Sequence, residues 1–197
     1  VTRAKIGRRE FLVVNRDVAR RYFKGQVSGI PEPADDRFEI VKGKRTKRIF
    51  CLGESTMQGF PYEYHATPSA FLRDRLQAMF PGYNIEVVNV GLSAVGSVVV
   101  RDFMDELVSY EPDLFLVYLG HNEFYGVYGV GSAVGAGSGW MTRVAVFLLR
   151  FKTYLALRDA YQWVRQIAGR DQQGPRGSLM GQMVGDRTIP YNGPLYR

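Results

Sequence analysis

The chain has 197 residues, of which 46% are hydrophobic and 23% are charged. This composition supports one folded core and excludes a disordered chain. A single cysteine, Cys51, excludes an internal disulfide and says nothing about compartment. The only two histidines are His65 and His121, so we expect no metal site and no cofactor.

The positive charge lies at the beginning of the chain. Residues 1–50 hold 14 Lys and Arg against 6 Asp and Glu, whereas the remaining 147 residues hold 12 against 13. Such a segment can contact nucleic acid or anionic lipid, but a solvated, flexible arm is the simpler interpretation. Because no RNA-binding aromatic motif or DNA-reading helix is evident, we expect no nucleic-acid partner. Residues 1–45 are predicted to form a basic N-terminal extension.

The chain begins with Val1 instead of Met and shows no signal peptide. No uncharged apolar stretch of 18 residues is present. The non-Met start leads us to expect that upstream sequence, which could hold an anchor, precedes Val1.

Strands and helices then alternate along the chain. Short apolar runs bounded by polar or glycine residues predict strands, and apolar residues at helical spacing predict helices. The order is strand 48–53, helix 68–80, strand 84–90, helix 97–110 and strand 113–119. This order predicts an α/β fold whose parallel sheet is covered on both faces.

The last third of the chain is less regular. Residues 126–139 contain six glycines and are predicted to form a flexible loop, and residues 169–197 are aperiodic. Residues 140–168 are predicted to form one helix. Its arginines recur every seven or eight residues and are expected to share one face: Arg143, Arg150, Arg158 and Arg165. We expect either a partly buried helix, a lid over a site, or a membrane-surface element.

Each predicted strand ends in a polar, glycine-containing loop, and such loops converge at one edge of a parallel sheet. In Gly53-Glu54-Ser55-Thr56, the serine could be a nucleophile or an ordinary helix cap. The loop 89–97 offers backbone N–H groups to an oxyanion, or is a simple tight turn. In Gly120-His121-Asn122-Glu123, the asparagine could donate its amide to the same oxyanion. Next to it, His121 is a weak candidate for a base, as is His65.

Taken in order, the three loops resemble the SGNH/GDSL hydrolase family over roughly residues 46–125. By this resemblance Ser55 corresponds to the nucleophile and Asn122 to the oxyanion amide. Ala94, five positions after Asn89, corresponds to the residue that gives a backbone N–H. The resemblance implies a three-layer α/β/α, flavodoxin-like fold that is incomplete in residues 46–197.

The sequence departs from the family's pattern in one serious way. The D-x-x-H block, which by resemblance would supply the base and its orienting carboxylate, is absent. No histidine follows His121, and neither Asp171 nor Asp186 has a histidine three positions later. We expect a fragment in preference to a degenerate enzyme, and an unpaired sheet edge with exposed apolar faces.

The resemblance implies ester hydrolysis of a small-molecule or carbohydrate ester. One alternative is acyl transfer to a sugar hydroxyl of an envelope polysaccharide. Another is a non-enzymatic module with membrane-surface contact. A bacterial envelope location is implied by the resemblance alone, and the oligomeric state stays open.

Overall fold

The computed structural model describes residues 1–7, 9–23, 30–62, 64–124, 126–128 and 139–167. Most of the predicted glycine-rich loop, and all of residues 169–197, lie outside the described residues. The described chain has an α/β fold with two three-stranded sheets and helices packed on both faces of the second.

The first sheet is antiparallel and belongs to the basic segment. It consists of β1 (Thr2–Ile6), β2 (Arg9–Val13) and β3 (Arg37–Glu39), with helix α1 (Val18–Tyr22) between β2 and β3. The expectation of a solvated, flexible arm is therefore wrong. The boundary at residue 45 stays a prediction.

Aromatic packing joins this first sheet to the rest of the molecule. Phe38 of β3 packs edge-to-face against Phe50, with ring centroids 5.1 Å apart. Tyr22 of α1 is buried and packs against Phe103 in the same way, at 5.8 Å. The apolar side of the basic segment thus completes the main core.

A buried cation fixes the same junction. Arg48 donates to the Glu86 carboxylate at 2.7 Å and to the carbonyl oxygens of Tyr110 and Glu39, each also at 2.7 Å. Its guanidinium lies 4.8 Å from the centroid of the Phe38 ring. A buried charge is stable when it is paired and hydrogen-bonded in this way.

The second sheet is parallel and has the order β5-β4-β6. The central strand β4 spans Thr46–Gly53, and its neighbours β5 and β6 span Asn84–Asn89 and Leu114–Tyr118. All three predicted strands are confirmed to within two residues at either end. β4 is apolar on both sides because both of its faces are covered.

Two helices cover the two faces of this sheet. Helix α3 (Pro68–Met79) packs on the face that carries Cys51, and helix α4 (Ser97–Leu107) packs on the face that carries Phe50. Between β4 and α3 lie the short helix α2 (Ser55–Gln58) and a 3-10 turn at Tyr64–Ala66. A second 3-10 turn, Val108–Tyr110, follows α4 directly. Both predicted helices are thus confirmed, although the second tightens in its last turn.

The predicted helix 140–168 is two helices, α5 (Gly139–Leu148) and α6 (Lys152–Ile167). The expectation that its four arginines share one face is wrong, because the chain breaks between the helices. Arg150 lies at this break and binds Asp102 of α4 at 2.6 Å. Arg158 donates to the carbonyl oxygen of Arg21 at 3.0 Å, so it faces the core instead of solvent.

Strand β6 lies at the edge of the parallel sheet in the described part of the chain. Its register with β4 places three side chains on the α3 face of the sheet, and all three are exposed: Leu114, Leu116 and Tyr118. This agrees with the expected exposed apolar sheet face.

Candidate functional site

Ser55 lies where the central strand ends. β4 closes at Gly53, and Ser55 is the first residue of α2, with Glu54 as its N-cap. The Ser55 carbonyl accepts hydrogen bonds from the N–H groups of Gly59 and Phe60, each at 2.9 Å. Ser55 itself is half-buried. The nucleophile predicted from sequence is thus held on a tight, hydrogen-bonded turn at the carboxyl edge of the sheet.

The close approach of β6 requires a glycine before this turn. A Cβ atom on Gly53 would lie 2.1 Å from the carbonyl oxygen of Tyr118 and 2.8 Å from Cβ of Met57. No side chain fits there without moving a backbone. Gly53 therefore sets the distance between the Ser55 turn and the loop that follows β6.

The loop after β5 is attached to the Ser55 turn by side chains. The amide of Asn89 donates to the carbonyl of Met57 at 2.8 Å, and its oxygen accepts the N–H of Gly91 at 2.9 Å. The hydroxyl of Ser93 donates to the amide oxygen of Gln58 at 2.5 Å. These bonds fix the start of the second loop against α2.

Ala94 occupies a position that favours glycine. Its φ is +60°, in the left-handed region. Its carbonyl accepts the N–H of Val127 at 3.1 Å, so the turn links the second loop to the segment beyond the third. A glycine would adopt this backbone conformation at lower cost than an alanine.

Asn122 is buried and belongs to the third loop. Its N–H donates to Oε1 of Glu54 at 3.1 Å, and its carbonyl accepts the N–H of Gly126 at 2.7 Å. A Cβ on Gly126 would lie 2.6 Å from the Asn122 oxygen and 3.2 Å from the Ala94 oxygen. Gly126 is therefore the point at which the backbones of Asn122 and Ala94 approach each other.

A second carboxylate joins the second and third loops. Glu123 accepts hydrogen bonds from the N–H and the hydroxyl of Ser97, at 2.7 and 2.8 Å. Ser97 is the first residue of α4, where a carboxylate is favoured by the helix dipole. The structure thus brings together the three loops that hold Ser55, Ala94 and Asn122, as the sequence predicts for a parallel sheet.

Glu54 has a structural role in this site that the sequence motif does not predict. It is 1% exposed, and Oε1 accepts N–H groups from both Gly120, at 2.9 Å, and Asn122. Oε2 is buried without a hydrogen-bond partner among the described residues, and Nδ1 of His121 lies 3.5 Å from it. A carboxylate next to Ser55 therefore holds the loop of Asn122. An acidic residue directly after a buried strand was the available signal.

The two histidines occupy different surroundings. His121 is 67% exposed by its side chain, beside Glu54 and 6.0 Å from the ring of Tyr118. His65 lies on the 3-10 turn at Tyr64–Ala66 and is exposed. The loop of His121 contacts the Ser55 turn through Glu54.

Cys51 is not available for chemistry. It is fully buried in β4, and burial together with the nearby Asp36 charge raises its pKa to about 12. A thiol that stays protonated at neutral pH is a poor nucleophile. Among the described residues, no group of three or more His, Cys, Asp and Glu is placed to hold a metal ion.

Comparison with known proteins gives a limited result. The chain matches no protein-family model and no curated protein. Among solved structures it is similar to AlinE4, an SGNH-hydrolase family esterase, with 22% identity and a TM-score of 0.34 over 40% of this chain and 42% of that one. Two mutants of the same esterase give the same TM-score and coverage, with 22% and 21% identity. The chain thus spans less than half the length of these proteins.

Proposed function

We propose that the chain carries the nucleophile and oxyanion-binding part of a serine ester hydrolase. The observation behind this proposal is the double hydrogen bond from the loop of Asn122 to Glu54, the residue that precedes Ser55. It holds the predicted nucleophile and the predicted oxyanion donor on adjacent, mutually fixed backbones. Preorganised donors of this kind stabilise the charge that develops in acyl transfer.

In the proposed reaction, the Ser55 hydroxyl attacks an ester carbonyl and the alcohol leaves. The N–H groups of Ser55 and Ala94 and the Asn122 amide bind the oxyanion of the tetrahedral intermediate. Water then attacks the acyl-enzyme and releases the acid. This assignment of roles is supported by the order of the three motifs and by the convergence of their loops.

The reaction also needs a group that accepts the Ser55 proton. The family resemblance implies an imidazole oriented by a carboxylate in a D-x-x-H block, and residues 1–197 contain no such block. The proposed activity is therefore that of the complete gene product, with this histidine supplied from outside residues 1–197.

Replacement of Asn122 by alanine tests the oxyanion assignment. In the complete gene product, with a p-nitrophenyl ester, we expect kcat to fall by about 10² to 10³ with little change in KM. Asn84→Ala is the matched control, because Asn84 begins β5 and so lies at the edge of the sheet away from the three loops. An unchanged kcat in the Asn122→Ala variant would show that this residue does not bind the oxyanion.

Covalent labelling tests the nucleophile directly. A fluorophosphonate should modify Ser55, as identified by peptide mass spectrometry, and Ser55→Ala should abolish both labelling and hydrolysis. Ser109→Ala, in the 3-10 turn after α4, should change neither. Labelling of another serine in an active preparation would overturn the assignment.

His121 provides a test of where the imidazole comes from. If the base lies outside residues 1–197, His121→Ala in the complete gene product should retain most of the activity. If residues 1–197 alone hydrolyse the ester, and this activity disappears in His121→Ala, then His121 is the base and Glu54 its orienting carboxylate.

Acetate release from the complete gene product, measured with and without a polysaccharide acceptor, separates hydrolysis from acyl transfer.

A further inference from the structure

Helices α5 and α6 both carry exposed apolar side chains, and α5 also buries its opposite side. Val146 on α5 and Leu149 directly after it pack into the core, whereas Trp140, Val144 and Phe147 are exposed at helical spacing. A helix that is apolar on two opposite sides normally has a partner on each.

Helix α6 contacts the core near its start and has exposed apolar side chains beyond it. Tyr154 and Leu155 pack partly against the core, and Leu157, Tyr161 and Val164 are exposed at a spacing of three and four residues. We call the six exposed residues on the two helices the aromatic face: Trp140, Val144, Phe147, Leu157, Tyr161 and Val164. Within each helix these residues recur at helical spacing, unlike the singly scattered apolar residues of an ordinary surface.

Both tryptophans of the protein lie on these helices. Trp140 on α5 is 68% exposed and Trp163 on α6 is 63% exposed. Tryptophan has an apolar body and a polar N–H group, and it is enriched where a protein meets the interface of a lipid bilayer.

The charge around the aromatic face is positive. Residues 139–167 contain five Lys and Arg and a single acid, Asp159, which is bound to Arg158 at 2.9 Å. Arg143, Lys152 and Arg165 are exposed. An apolar helix face with Trp and Phe and with flanking cations is typical of helices that lie in the plane of an anionic membrane surface.

We propose that the aromatic face docks on the surface of an anionic phospholipid bilayer. The apolar side chains enter the boundary between headgroups and acyl chains, and the three cations contact the phosphates. Within the described residues no helix is long and apolar enough to cross a membrane. The proposed contact is one of helices lying on the surface, and it is independent of the proposed ester chemistry.

Charge favours a lipid surface over a second copy of the chain. In a symmetric dimer the same patch meets itself. The cations of one copy would then face the cations of the other, and within residues 139–167 the single acid, Asp159, is already paired. Anionic headgroups complement the same charges, and each cation near such a surface strengthens binding by about fivefold.

Intrinsic fluorescence of residues 1–197 tests the proposal, since the tryptophans are the probe. Vesicles of phosphatidylcholine with phosphatidylglycerol should shift the emission to shorter wavelength and carry the protein into the pellet, and vesicles of phosphatidylcholine alone should do neither. High salt should weaken the binding. Trp163→Phe leaves Trp140 as the only tryptophan, so quenching by brominated lipid in this variant reports on the aromatic face.

Matched variants identify the docking surface. Phe147→Ser with Leu157→Ser should abolish sedimentation, whereas Phe71→Ser with Val108→Ser, an equally exposed aromatic and aliphatic pair elsewhere, should not. Arg143→Gln with Lys152→Gln should weaken binding by about thirtyfold. Circular dichroism of each variant verifies the fold.

Two results would overturn the proposal. One is the absence of a wavelength shift and of sedimentation at every phosphatidylglycerol content. The other is a dimer, seen by analytical ultracentrifugation, that buries Trp140 and whose formation is prevented by the Phe147 and Leu157 substitutions. That result would assign the aromatic face to a second copy.

Discussion

The loops around Glu54 and the exposed face of β6 belong to the same sheet. The loops are held together by hydrogen bonds, whereas the apolar side chains on that face of β6 have no covering element among the described residues. At the loops, the N–H groups of Gly120 and Asn122 share one carboxylate oxygen, and Gly53 leaves no free space beside β6. On β6, Leu114 and Leu116 are exposed. The geometry of the candidate site is therefore fixed within the described residues, and the apolar surface next to it is not needed to hold it.

Substitution of Gly53 should disrupt the tightly packed region most. In Gly53→Ala, the new methyl group would meet the Tyr118 carbonyl, so the end of β6 must move away from β4. We expect a loss of about 3 kcal/mol in the free energy of unfolding, measured in urea. Gly82→Ala is the control, because a Cβ there has no atom within 4 Å. An equal effect at the two positions would show that the close approach does not limit stability.

The carboxylate of Glu54 should have the next largest effect. Glu54→Ala leaves a buried N–H and a partly buried one without an acceptor, which costs about 2 kcal/mol of unfolding free energy. Glu54→Gln keeps an acceptor oxygen at the same place and should lose less than half of that. Equal losses in urea denaturation would show that the negative charge, and not the hydrogen bonds to Gly120 and Asn122, stabilises the loop.

The parallel sheet could be predicted from sequence because local patterns determine it. Apolar runs ending in glycine, Pro68 at a helix start and regular helical spacing each mark an element within a few residues. The convergence of the loops of Ser55 and Asn122 also follows, since the carboxyl ends of parallel strands meet at one edge. The hydrogen bonds from Gly120 and Asn122 to Glu54 cannot be predicted in this way, because they depend on the separation of β4 and β6 in the folded state.

The sheet in the basic segment and the break between α5 and α6 depend on tertiary contacts and were not predicted from the sequence. The alternation of charged and apolar residues in β1 is a strand pattern, but the high charge made an arm the simpler interpretation. The break between α5 and α6 contains neither proline nor glycine. It occurs where Leu149 enters the core and Arg150 reaches Asp102 and Asp105. A sequence pattern carries no information about such distant partners.

Asp113, which directly precedes β6, should make stability depend on pH. Partial burial pushes its pKa up, but hydrogen bonds from Lys42, the Arg48 N–H and Lys47 bring its pKa down to about 2, from an ordinary value of 3.8. A lowered pKa stabilises the fold above about pH 4, and this stabilisation is lost as the pH falls toward 2.

Solvent screening limits this contribution to about 1 kcal/mol. Asp113→Asn should therefore lower the unfolding free energy by about that amount at neutral pH and have no effect near pH 2. The exposed Asp74 gives the control, since Asp74→Asn should have little effect at either pH. A loss for Asp113→Asn that is constant with pH would show that shape, and not charge, fixes the start of β6.

The exposed face of β6 should show the smallest effect on stability. Leu114→Thr with Leu116→Thr introduces β-branched, strand-favouring side chains and removes apolar surface from water, so we expect the unfolding free energy to stay within about 0.5 kcal/mol. Solubility should rise, because a flat apolar edge strand promotes association. Leu52→Ala, at a buried position on β4, should instead cost about 3 kcal/mol. If the double substitution on β6 cost as much as Leu52→Ala, its apolar face would be covered in solution, and the contrast between the two regions would no longer hold.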